Sequence, residues 1–189
     1  MSDVPGMDQH DVGTFRRLLR ALRLDDASVE FAAALGSGSQ SNDSLLVVGT
    51  PECEPWHFVA HLAEEAQSSG RPELVPTWVR WTPPVAARAH LAVSMDRLSA
   101  VRRGDTVLVV APNGASERLL DRVDDVRRFG GRVMTIHRED HDLVQLSHET
   151  LVVPVMAPPP TFDVVQHVVT SVASGSAPRP RHRRRRQSV

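Results

Sequence analysis

No lysine occurs among the 189 residues; all 22 basic side chains are arginine. Neither a Schiff-base lysine nor a Walker-type phosphate lysine can therefore operate here. Cysteine is almost as scarce. Cys53 stands alone, which excludes an intrachain disulfide and a cysteine-based zinc cluster and fits a reducing compartment. Long apolar runs are missing too: LLVV at 45–48 and VLVVA at 107–111 fall far short of the ~20 residues that cross a bilayer. Asp3, Asp8 and Asp11 occupy the stretch where a secretory leader would be positive, so the expectation is a cytoplasmic protein without a transmembrane segment.

What is present is the balance of an ordinary globular domain, 41% apolar and 24% charged. The exception is the segment SGSAPRPRHRRRRQSV at 174–189, with small residues, prolines and six arginines but no apolar periodicity, the composition of a disordered tail. The formal charge of −1 thus divides into +6 on this tail and −7 on the rest. Arg181 to Arg186 offer non-specific contact with nucleic acid or an acidic partner, and the lack of interleaved aromatics argues against base recognition. The expected organisation is 1–43 as N-terminal helices and connector, 44–173 as the α/β domain, and 174–189 as the tail.

Residues 11–24 place Phe15, Leu18, Leu19, Leu22 and Leu24 on one side at helical spacing. A second helix is predicted at 27–35, and GSGSQSND at 36–43 reads as a connector. LLVVGT at 45–50 is a buried strand; Pro55 opens a helix to about 69 that Gly70 ends. VPTWVRW at 75–81 alternates as a strand, Pro83 and Pro84 lead a helix to about 102, and Gly104-Asp105 turns the chain into TVLVVA at 106–111. After the turn PNGAS at 112–116, a helix reaching 129–131, strands at 132–137 and 151–155, and a closing helix at 162–172 follow. Strands alternating with helices predict a three-layer α/β/α sandwich around a five-stranded parallel sheet in flavodoxin-like order.

Residues 104–137, GDTVLVVAPNGASERLLDRVDDVRRFGGRVMTIH, run from a Gly-Asp turn through an apolar strand, a small-residue loop and a helix ending in glycine to a short strand. With DLVQLSHETLVVPV at 142–155, which adds a short helix and a strand ending in Val-Pro, this stretch resembles the sugar isomerase (SIS) family of phosphosugar-binding domains. The resemblance covers these two segments in order and spacing; the N-terminal third agrees in layout alone. It implies a phosphate loop of the form S-x-S-G-x-T at 111–116. Ala111 departs from the first serine, Asn113 replaces the second, Gly114 is kept, Ala115 is the free position, and Ser116 stands for threonine. Backbone N–H groups and hydroxyls at such a helix start hold a phosphate.

The resemblance also implies that Gly49 and Thr50 contact the ligand, in a loop where Glu52 and Glu54 put negative charge in the path of a phosphate. His57 and His61 lie four apart on one helix, the spacing of two metal ligands, but HFVAH lacks the glutamate of a zinc-protease motif, and neither metal nor cofactor is expected. An isomerase needs a carboxylate base and often a histidine, for which Glu64, Glu65 and His167 are the candidates. Because the loops depart from the family pattern, the expected function is binding of a phosphorylated sugar or related small anion without turnover, in a regulatory or assembly role, by a homodimer pairing through 11–24 and 162–172. The alternatives are an active phosphosugar isomerase and a scaffolding protein with a vestigial pocket and a basic tail.

Deleting residues 176–189 removes little that could be buried, so the melting temperature of the shortened chain should match that of the full chain. A fall of more than about 4 °C, on the order of 1 kcal/mol, in a thermal scan would mean that the tail is docked.

Overall fold

Alternation along the chain resolves into one five-stranded, all-parallel sheet in the order β2-β1-β3-β4-β5, the flavodoxin-like arrangement that the sequence predicts. The computed structural model describes residues 24–38, 44–83, 93–154 and 160–175. The elements are α1 (Leu24–Gly38), β1 (Leu45–Val48), α2 (Trp56–Ser68), β2 (Pro76–Val79), a 3-10 helix (Met95–Ala100), β3 (Thr106–Ala111), α3 (Glu117–Arg128), β4 (Arg132–His137), α4 (His141–Leu146), β5 (Glu149–Val152) and α5 (Pro160–Ala173). The predicted helix at 11–24 and the arginines of the tail lie outside the described residues.

Side chains in a strand alternate between faces, and each central strand here is apolar on both. Leu45, Val47, Leu108, Val110, Met134 and Ile136 share one cluster with Phe31 and Leu35 of α1, Phe58 and Leu62 of α2, and Phe162, Val165 and Val169 of α5. Leu46, Val48, Val107, Val109 and Val133 face the other way, onto Met95, Leu98, Leu119, Val123, Val126 and Leu143. These two clusters are the two interfaces of the α/β/α sandwich. No helix among the described residues is long and apolar enough to cross a membrane.

Three expectations need correction. The helix that should reach 102 does not: residues 84–92 lie outside the described set, Ser94 bridges Arg80, and Met95–Ala100 is a 3-10 helix. Met95 and Leu98 are the buried pair, and a spacing of three suits a 3-10 turn, whose residues i and i+3 eclipse. The connector begins later than its glycines suggest, because α1 continues to Gly38; a Cβ on Gly36 would lie 2.8 Å from the Ala173 carbonyl oxygen, so the helix packs where only glycine fits. The last strand starts earlier, at Glu149, and stops before Pro154; on this edge strand only Leu151 needs burial, so polar Glu149 and Thr150 are accommodated.

Asp105 sets the register of the two central strands. One carboxylate oxygen accepts from the Ser44 backbone N–H (2.8 Å) and the other from that of Arg102 (2.9 Å). Asp105→Ala orphans both donors at a residue only 6% exposed. The expected loss is about 3 kcal/mol by urea unfolding, with Asp105→Asn intermediate because one acceptor remains.

Candidate functional site

All strands run the same way, so every loop that follows a strand opens at one edge of the sheet. In an open parallel sheet the ligand crevice lies there, where neighbouring connections diverge to opposite faces, and β1 and β3 are that pair. A cleft of about 960 Å3 occupies this edge. Pro112, Asn113 and Gly114 of the β3–α3 loop form one wall, Arg138 to Asp142 of the β4–α4 corner another, and Glu52, Cys53, Phe162 and Asp163 close it.

Gly114 adopts φ +87°, the left-handed conformation a glycine tolerates best, and Ser116 caps α3 by accepting from the Leu119 N–H at 3.4 Å. The loop therefore has the strand-to-helix geometry of an anion site. Its inward N–H is already engaged: Ala115 donates to Asp140 Oδ2 at 2.8 Å. Asp140 Oδ1 caps α4 by accepting from Asp142 N (3.1 Å) and Leu143 N (3.0 Å). An internal carboxylate thus occupies one of the loop's backbone donors. Sequence reasoning missed Asp140, whose only linear signal is its position as a helix cap.

The first loop is closed on itself. Thr50 and Cys53 exchange backbone hydrogen bonds at 3.2 and 3.1 Å, and a Cβ on Gly49 would fall 2.2 Å from the Cys53 carbonyl oxygen. Trp81 Nε1 donates to the Gly49 carbonyl (2.8 Å), while Glu54 accepts from Trp81 N (3.1 Å) and pairs with Arg80 (3.2 Å). Gly49 and Thr50 are buried behind this turn and do not line the cleft, and the Thr50 hydroxyl has no partner among the described residues. Burial first and Asp163 second push the Cys53 thiol up, leaving it protonated at neutral pH.

Among the described residues five carboxylates line the cleft, from Glu52, Glu139, Asp140, Asp142 and Asp163, against one guanidinium, that of Arg138. Beside it, between the start of α2 and α5, lies a cavity of about 170 Å3. His57, His61 and His167 meet on its wall, with ring centroids 4.4 to 5.3 Å apart. The structure thus joins His167 to the His57–His61 pair, which no local pattern could foretell. Burial, then His61 and His57, hold the His167 ring below the usual histidine range, with Asp163 opposing. Glu64 is exposed and Glu65 accepts from Ser174 at 3.3 Å; neither lines either cavity.

The chain is similar to solved structures across most of its length. The Vibrio vulnificus NanR protein complexed with ManNAc-6P superposes with a TM-score of 0.55 at 16% identity, over 89% of this chain and 61% of that one. The sugar isomerase domain of an RpiR transcription factor from Sphaerobacter thermophilus gives 0.53 at 15%, over 88% and 90%. Phosphoheptose isomerase GmhA from Neisseria gonorrhoeae gives 0.52 at 13%, over 89% and 98%. No protein-family model and no curated protein matches the sequence. The architecture is a three-layer α/β/α sandwich on a parallel sheet. The chain has the sugar isomerase (SIS) fold.

One buried histidine beside the cleft carries a pH dependence. His137 accepts from Asp140 N through Nδ1 (3.1 Å), so its proton sits on Nε2, facing Thr150 Oγ1 at 2.9 Å. Burial lowers its pKa from 6.5, with Asp140 opposing. The unfolded chain then binds the proton more readily, so stability present above about pH 6.5 is lost as pH falls. Urea unfolding from pH 7.5 to 5 should show this decline, and His137→Gln should make it shallower.

Proposed function

We propose that this chain is a non-catalytic SIS-fold module that receives a sugar or phosphorylated sugar at the β1/β3 edge, its phosphate loop being occupied by its own Asp140. The observation that carries the reading is the 2.8 Å hydrogen bond from Ala115 N to Asp140 Oδ2. A phosphate entering the loop must compete with a carboxylate already held there and approach a rim of five acids, so binding of the charged group is weak. A sugar's hydroxyls, by contrast, are donors that such a rim accepts. The absence of turnover is supported by the placement of the acid–base candidates: Glu64 and Glu65 lie outside both cavities, and His167 faces two other imidazoles.

Asp140→Asn separates the contributions. The amide keeps an acceptor for the α4 cap but removes the negative charge from the loop. In titration calorimetry with ManNAc-6P and hexose 6-phosphates, the variant should bind at least tenfold more tightly than the unaltered chain, a gain of about 1.4 kcal/mol. No binding by either chain would sink the reading. Isomerised sugar phosphate accumulating during incubation with the unaltered chain, followed by NMR, would overturn its non-catalytic part.

A further inference from the structure

We infer that His57, His61 and His167 form a binding site for one divalent first-row transition ion, Zn2+ being the best fit, with a water or small anion completing its coordination. The site lies in the smaller cavity and does not depend on any sugar phosphate occupying the larger cleft.

The argument begins with helix geometry. Residues four apart share a face, so α2 carries His57 and His61 side by side, and α5 delivers His167 to the same point from across the cavity. One ligand atom from each ring lies within 4.8 Å of the other two. His57 Nε2 and His61 Nε2 are 3.0 Å apart, and this is the only hydrogen bond the three rings make among the described residues. Two imidazole nitrogens at that distance cannot both present lone pairs or both present protons; a shared proton or a cation must lie between them. Around a tetrahedral ion with Zn–N of about 2.0–2.1 Å, neighbouring nitrogens stand about 3.3 Å apart, so the His57–His61 pair is already close to that spacing. A ring nitrogen of His167 already lies within 4.8 Å of both.

The surroundings favour a cation. Among the described residues no arginine lines this cavity, Asp163 adds a carboxylate beside the rings, and Glu54 stands at its rim already paired with Arg80. Imidazole is a ligand for zinc, copper, nickel and iron rather than for magnesium or calcium, which defines the class of ion. Three protein nitrogens leave one position of a tetrahedron open, the pattern of a site that takes water or an exogenous ligand.

The test uses the full-length chain stripped of metal with a chelator and titrated with Zn2+ against a chromophoric competitor. One equivalent should bind with a micromolar or lower dissociation constant, and Co2+ in its place should give intense tetrahedral-type visible absorption. His57 is exposed, so His57→Ala leaves the fold intact and should weaken Zn2+ at least 100-fold; His167→Ala should do the same. His141→Ala, on the neighbouring cleft, and His182→Ala, in the arginine-rich segment, should bind as the unaltered chain does. Failure of that chain to take up one equivalent overturns the inference. So does retention of affinity within threefold by both His57→Ala and His167→Ala, or loss of binding in His182→Ala.

Discussion

Two strands separated by more than fifty residues of sequence share one carboxylate, and the cleft depends on it. Asp105 holds Ser44 and Arg102 at the starting edge of the sheet, which fixes Leu45 opposite Thr106 and carries that register up to Val48 and Val109. A slip of one residue would turn each strand's apolar set to the wrong face, though here both faces are buried and the cost lies in mismatched packing instead. With the register set, the loops after β1 and β3 emerge side by side. Any ligand at that edge therefore meets two loops whose relative height is decided at the far end of the sheet.

At the opposite edge a second carboxylate joins the β3–α3 loop to the β4–α4 corner. Asp140 reaches Ala115 with one oxygen and the start of α4 with the other, while its own N–H donates to His137. Glu139 takes φ 42° just before it, a conformation that costs a non-glycine residue on the order of 1 kcal/mol and that turns the chain sharply after β4. The strain is offset by the hydrogen bonds that the corner then makes. His137, fully buried with both ring nitrogens partnered, locks the corner to β5 through Thr150. A loop suited to anions is in this way held in shape by an anion of its own.

Periodicity made the sheet legible. Valine- and leucine-rich runs bounded by Gly-Asp, Asn-Gly and Gly-Gly give strand positions within three residues, and βα alternation then leaves few topologies. Where tertiary contacts overrule local preference, legibility stopped. Gly36 reads as a breaker, yet sits in α1 because Ala173 comes too close for any side chain. Met95 to Ala100 reads as α-helical, but the cluster below takes residues at a spacing of three. The strand-to-helix turn at 112–116 could be placed by its glycine and serine, while the carboxylate that binds it lies 25 residues away and resembles an ordinary cap. Likewise, each histidine of the three was visible and their meeting was not, since it depends on how α5 crosses α2.

The two cavities share a wall, for Cys53 and Asp163 line both. Asp163 therefore faces two environments of opposite demand, a cleft rim already crowded with carboxylates and a cluster of three imidazoles. Its charge is unfavourable toward the first and favourable toward a cation in the second. Positive charge gathered at the imidazoles would offset part of the repulsion that an anion meets at the cleft, to an extent that solvent limits because Asp163 and His57 are both exposed. Without it, the described lining presents mainly carboxylate acceptors to the cleft. The electrostatics of the cleft thus depend on what stands behind its wall as well as on the loop at its floor.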